Sequence, residues 1–149
     1  VRVIHQKNKG VDGAKNAGID SARGNWIGFV DQDDLIDKTY YEKLYHAAQQ
    51  AGAEIAVSNI LYMEADGSAS VYKDLPLCDE VLTAAEAARR IRATPMVHVT
   101  SKLQRQELVK ANRFLDGKDY EDAFMSVSKL HVFSGITNWE QMLAIQFIR

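Results

Sequence analysis

The sequence predicts an α/β fold, a mixed sheet flanked by helices, on three observations. Short apolar runs bounded by turn residues alternate with stretches of 3.6-residue apolar spacing. One run, Trp26-Ile27-Gly28-Phe29-Val30, ends directly in Asp31-Gln32-Asp33-Asp34. That places three carboxylates beyond the carboxyl end of a strand, where open α/β sheets present their ligand-binding loops. Finally, 149 residues, 46% of them hydrophobic, suffice for one cored domain and are too few for two.

Residues 1–4, Val-Arg-Val-Ile, have the β-branched composition of a strand. With no methionine and no polar lead-in, they predict a chain that starts inside an element, an amino-terminally truncated piece of a longer protein. Residues 5–10 are polar and end in Gly10, a loop. Over 11–22, Val11, Ala14, Ala17, Gly18 and Ala22 share a helical face of small side chains suited to lying close on a sheet, and Arg23-Gly24-Asn25 ends it. Residues 26–30 are short, apolar and bounded by turn residues, a buried strand.

Asp37 is the expected N-cap of a helix whose Tyr40, Tyr41, Leu44, Tyr45, Ala48 and Ala51 keep helical spacing, with Gly52 as its stop. Residues 55–62 read as a second strand, joined through Asp66-Gly67 to a weaker strand at 70–72, a hairpin. Thr83 and Glu86 have capping-box spacing and open a helix to about residue 92, with Pro95 beyond its end. Residues 96–103 fit strand or helix, 105–111 a helix, and 113–118 a loop around Gly117. Tyr120, Ala123, Phe124, Val127, Leu130 and His131 line one helical stripe. The tail from 133 carries two strand-like runs separated by Trp139-Glu140-Gln141.

A net charge of −2 predicts no nucleic-acid partner. The single cysteine, Cys78, rules out an internal disulfide and suits a reducing compartment. His5, His46, His98 and His131 lack zinc-ligand spacing. No signal peptide and no apolar run of membrane-spanning length is evident. The chain reads as cytoplasmic, with peripheral association at the inner face of the membrane left open.

Carboxylates as close as Asp31, Asp33 and Asp34 repel one another unless a cation sits among them. Magnesium or manganese acting on a nucleotide is held by one or two carboxylates, with substrate phosphates and water completing the shell. The string is no EF-hand, since the glycine and distal glutamate are missing. A turn that caps the next helix is the competing reading, and the local string leaves both open.

In order, Asn8-Lys9-Gly10-Val11, Lys15-Asn16-Ala17-Gly18-Ile19, Ala22-Arg23-Gly24 and Ile27-Gly28-Phe29-Val30-Asp31-Gln32-Asp33-Asp34 resemble the central block of family 2 glycosyltransferases. The resemblance implies a GT-A fold, a nucleotide-sugar donor, and a D-x-D motif that binds the metal, Mn2+ or Mg2+, and the donor. It implies donor contacts from Lys15, Asn16, Asp31, Asp33 and Asp34, with the metal on Asp33 and Asp31. Where the family usually has Ala-Arg-Asn, this chain has Ala14-Lys15-Asn16, which keeps the charge and loses the forked guanidinium. Asn16 and Gly18 equally suit helix packing near the sheet.

Residues 114–122, ending in Tyr120-Glu121-Asp122, resemble the family's later Glu-Asp segment. That resemblance implies Asp122 as general base, with Glu121 as a secondary candidate. On a helix whose Tyr120, Ala123, Phe124 and Val127 face the core, Asp122 points the opposite way. Complementing the helix dipole is the simpler role for both acids. Thr100-Ser101-Lys102-Leu103 resembles a further family segment, usually with Asn before the Lys; a lone lysine there reads as a solvated surface charge.

By resemblance, residues 1–149 are a partial catalytic domain lacking the first βαβ region. Its expected activity is metal-dependent, inverting sugar transfer to a saccharide or lipid-linked acceptor hydroxyl in cell-surface polysaccharide or glycoconjugate synthesis. A noncatalytic GT-A-like binding module and a nucleotidyltransferase with a related sheet are the competing readings.

Overall fold

The computed structural model describes residues 1–71, 79–90, 98–115 and 143–146. Glu121, Asp122, Cys78, the helix expected from Tyr120 and most of the tail lie outside the described residues. The fold is α/β, and it centres on a three-stranded sheet of β1 (Trp26–Gly28), β6 (Lys102–Arg105) and β2 (Ile55–Val57), in the order β1-β6-β2. The central strand is antiparallel to both neighbours, with Ile27 opposite Gln104 and Ile55 opposite the same residue. Hence β1 and β2 run the same way, and their carboxyl ends share one edge with the start of β6.

Register and pleat divide the side chains between two faces, because directly opposed residues project to the same side. On one face Leu103 and Ala56 meet Leu44 and Ala48 of α2 (Tyr40–Ala51), with Trp26, Tyr40 and Tyr41 packed around them. On the other, Ile27 meets Ile19 of α1 (Gly10–Ser21), Val109 of α4 (Gln106–Ala111), Val99 and Phe114, with Ala22 and Phe29 at the margin. Helices thus cover both faces of the sheet, as burial of a two-sided apolar strand requires.

Gly28 marks the closest approach of helix and strand. A Cβ there would overlap the Tyr41 ring and fall 2.7 Å from its hydroxyl oxygen, which donates to the Phe29 carbonyl at 3.4 Å. Gly28→Ala is expected to cost about 1–3 kcal/mol by forcing that ring aside. The check is a lower urea midpoint at unchanged m-value; an unmoved midpoint would mean the ring swings away freely.

The local signals stand where the sequence put them. Gly52 ends α2 at φ 64°, a left-handed backbone that costs glycine nothing, and its N–H reaches the carbonyls of Ala48 and Gln49. The Asp66-Gly67 turn joins β3 (Leu61–Met63) to β4 (Ala69–Val71), Asp66 Oδ1 accepting the Ser68 N–H at 2.8 Å. Thr83 and Glu86 form the reciprocal capping box: the Thr83 N–H donates to Glu86 Oε2 at 2.8 Å and the Glu86 N–H to Thr83 Oγ1 at 3.3 Å. They open α3 (Ala84–Arg90), which follows β5 (Asp79–Leu82); β5 pairs with β7 (Leu143–Gln146) from the tail.

Five expectations change. Residues 1–4 form no strand, and Val3 is 70% exposed, because β-branched composition supplies no pairing partner. The small-residue face of α1 does not face the sheet: Asp12, Gly13 and Ile19 are buried while Val11 is 59% exposed, since the single bulky Ile19 sets the helix rotation. Residues 55–62 split into β2 and β3, because the Ser58 N–H and hydroxyl both turn to the Ser101 carbonyl and the two halves join different sheets. Asp37 stabilises the turn before α2 by accepting the Thr39 N–H at 2.9 Å, and the cap position is Thr39. Lys102 is 4% exposed in the central strand and so is no solvated surface charge.

Candidate functional site

The shared edge of β1 and β2 carries the three carboxylates singled out by sequence. The chain leaves β1 through Phe29 and Val30 into the acidic turn, which the Asp34 N–H closes on the Asp31 carbonyl at 3.1 Å. Asp31, Asp33 and Asp34 are all exposed there. The turn half of the competing reading is therefore present, and the capping half is not, because α2 begins only at Tyr40.

Behind the turn lies a partly buried hydroxyl network on the same edge. The Tyr40 hydroxyl stands 3.0 Å from Ser58 Oγ, just past the end of β2, and donates to the Thr100 carbonyl at 3.0 Å. Ser101 Oγ donates to the His98 carbonyl at 2.9 Å. Burial raises the Tyr40 pKa, the Ser58 hydrogen bond opposes that, and the Asp34 carboxylate adds to it. Burial, with Tyr40 adding, pushes Tyr41 up to about 12. Both phenols therefore remain protonated donors at neutral pH, bracing the strand ends that carry the acidic turn.

Across the sheet, α1 presents the Lys15-Asn16 pair, and both residues engage Phe114, which is 4% exposed. Asn16 Nδ2 donates to the Phe114 carbonyl at 3.0 Å, and Asn16 Oδ1 accepts the Phe114 N–H at 3.1 Å. The Lys15 ammonium lies 5.2 Å from the centre of the Phe114 ring, a cation–π contact. Phe114 also meets Phe29 edge to face, with ring centres 5.6 Å apart at 88°. Next to it Arg113 grips Asp20 with both guanidinium arms, at 2.6 and 2.9 Å, and donates to the Asn16 carbonyl at 3.2 Å. Hydrogen bonding from Arg113 holds the Asp20 carboxyl below its ordinary range.

The structure thus links Lys15 and Asn16, through Phe114, to Phe29, by which the chain passes from β1 towards Asp31, Asp33 and Asp34. Sequence reasoning missed Phe114 and misjudged Lys102. Neither has a local signature: one is a single aromatic after a short helix, the other a single lysine whose burial depends on strands on both sides.

The acidic turn suits a divalent ion shared with a ligand better than one caged by protein. Among the described residues, no three His, Cys, Asp or Glu side chains gather so as to hold an ion by themselves. Exposed carboxylates on a tight turn fit a magnesium or manganese ion that takes the rest of its shell from substrate phosphates and water.

A family model described as Glycosyl transferase family 2 matches residues 1–112. Glycosyltransferase GlyG of Streptococcus pneumoniae serotype 4 is 34% identical over 131 residues, covering 82% of this chain and 44% of that protein. The succinoglycan biosynthesis protein ExoO of Rhizobium meliloti is 43% identical over 68 residues, 45% of this chain and 20% of that protein. In fold, the crystal structure of S. aureus TarS 1-349 in complex with UDP-GlcNAc is similar at a TM-score of 0.62 and 16% identity, covering 97% of this chain and 38% of that chain. This GT-A fold is therefore present over part of its length, and the chain spans less than half of each of these proteins. The family match takes in every element from α1 to α4, and on that ground the chain belongs to glycosyltransferase family 2.

Proposed function

We propose that the protein transfers a sugar from a nucleotide-sugar donor to an acceptor hydroxyl, with inversion and with a divalent metal, in the synthesis of a cell-surface polysaccharide or glycoconjugate. The observation that carries this reading is the acidic turn at the edge shared by β1 and β2, inside the matched residues and backed by Lys15 on α1. Residues 1–149 would form part of the catalytic domain. The binding of UDP-GlcNAc by TarS and the biosynthetic role named for ExoO support a nucleotide-sugar donor and a polysaccharide product.

Asp33 and Asp31 would hold Mn2+ or Mg2+ against the donor diphosphate. When bound, the ion supplies charge stabilisation to the departing nucleoside diphosphate. Lys15 adds a positive charge on the phosphate side as a point charge without a bidentate fork. Asp34 faces the donor from the same turn. Asp122, with Glu121 beside it in sequence, takes the proton of the acceptor hydroxyl as its oxygen attacks the anomeric carbon. The bond from that carbon to the phosphate oxygen breaks in the same displacement, and the configuration inverts. The acceptor would be a saccharide or a lipid-linked molecule. The place of action would be the cytoplasm, at the inner membrane face; among the described residues no helix is long and apolar enough to cross a membrane.

The test is calorimetric titration of the full-length protein with UDP, GDP and dTDP in the presence of manganese, paired with an assay for sugar transfer. Diphosphate binding that requires manganese, together with transfer, is expected. Binding without transfer would favour a noncatalytic module, and no binding at all would sink the reading.

A further inference from the structure

We propose that Asn16 is a positioning residue of the acceptor side: its amide latches the backbone at Phe114 to α1 and so fixes the root of the stretch of chain that runs on to Asp122. The inference rests on the transfer reading above, in which Asp122 is the base. The family resemblance assigns Asn16 to the donor, yet both ends of its amide are engaged by protein. Nδ2 donates to the Phe114 carbonyl at 3.0 Å, and Oδ1 accepts the Phe114 N–H at 3.1 Å. Phe114 is 4% exposed and lies beyond the end of α4, so its peptide groups need partners from another part of the chain. Arg113 adds a second tie from the same segment to the same helix, through Asp20 and the Asn16 carbonyl.

Amide chemistry explains why asparagine suits this role. A carboxamide carries a donor and an acceptor on one short, planar group, so it can meet a peptide N–H and C=O at once, as a neighbouring strand would. An ionised aspartate accepts but cannot donate, and alanine does neither. On its other side the Phe114 ring meets Phe29, through which β1 leads towards the acidic turn, with ring centres 5.6 Å apart. The segment is thereby held against both α1 and the exit of β1 before the sequence continues to Asp122. Transfer needs base and donor in one productive geometry, and even a small misplacement caused from outside the reacting centre is costly. A segment fixed at its root limits how far the base can stray from the donor.

The test compares full-length wild type with Asn16→Ala and Arg113→Ala. Titration with UDP, GDP and dTDP in the presence of manganese gives donor affinity; diphosphate released from UDP-GlcNAc, GDP-mannose and dTDP-glucose gives kcat. Asn16→Ala is expected to lower kcat about ten- to a hundredfold and Arg113→Ala about threefold, each with diphosphate affinity within about twofold of wild type. Added to Asp122→Asn, Asn16→Ala should lower kcat no further, since the latch acts through the base. Weakened diphosphate binding in Asn16→Ala would return Asn16 to the donor and overturn the inference. So would a kcat unchanged per folded molecule, the mark of mere packing, or a loss that persists in full beside Asp122→Asn. Should Asn16→Ala fail to fold, Arg113→Ala carries the same comparison, its side chain being 40% exposed. A wild type that neither binds nor releases diphosphate, or an Asp122→Asn variant that keeps full turnover, refutes the reading beneath this inference and the inference with it. An active wild type and a crippled Asp122→Asn, with Asn16→Ala failing these measures, refute this inference alone.

Discussion

Asp33→Asn is expected to lower sugar transfer by about 10²–10³-fold while leaving the fold intact. The estimate supposes that Asp33 holds the divalent ion which would stabilise the leaving diphosphate: weakening that hold would cost about as much as losing an oxyanion-hole donor. Asp33 is exposed on a turn closed by the backbone of Asp31 and Asp34, so its side chain is not what shapes the turn. An exposed substitution of that kind shifts stability by only a few tenths of a kcal/mol. Asparagine keeps the shape and one neutral oxygen but removes the negative charge, so the manganese concentration needed for half-maximal diphosphate binding should rise as well. Calorimetry at several manganese concentrations and the transfer rate measure the two effects independently. Unchanged manganese dependence would remove Asp33 from the metal site, whatever happened to the rate.

Asp122→Asn is expected to reduce kcat by about 10²–10⁴-fold, the range for losing a positioned general base, with donor affinity held within about twofold. The amide is nearly isosteric and cannot take up a proton, so the two readouts separate chemistry from binding. Glu121→Gln should have the smaller effect of the pair. If Asp122→Asn instead abolishes diphosphate binding, its role is in shaping the pocket, and the base must be sought elsewhere.

What the sequence disclosed divides by the range of the interactions involved. Gly52, the Asp66-Gly67 turn and the Thr83–Glu86 box act over a few residues, and each stands where a local reading puts it. The acidic turn was legible for the same reason. The face of α1 was not, because its rotation is decided by Ile19 reaching the sheet and Asn16 reaching Phe114, contacts that spacing within a helix cannot reveal. Lys102 shows the same limit: a strand that follows a run readable as either strand or helix gives no sign that it will lie between two others. The residues missed are those whose environment is made by distant parts of the chain. The carboxylates escape that limit because charged side chains are ordinarily left at the surface, where all three stand.

The position of β6 also has a consequence in time. Strands β1 and β2 are never hydrogen-bonded to each other; each waits for Leu103 and Gln104, which arrive long after both have left the ribosome. Pairing over so long an intervening chain must first overcome the entropy of closing a large loop. The acidic turn and the Ser58 edge therefore become neighbours late, when the central strand inserts between β1 and β2. Lys15 is linked to the turn through Phe114, which follows β6 in the chain.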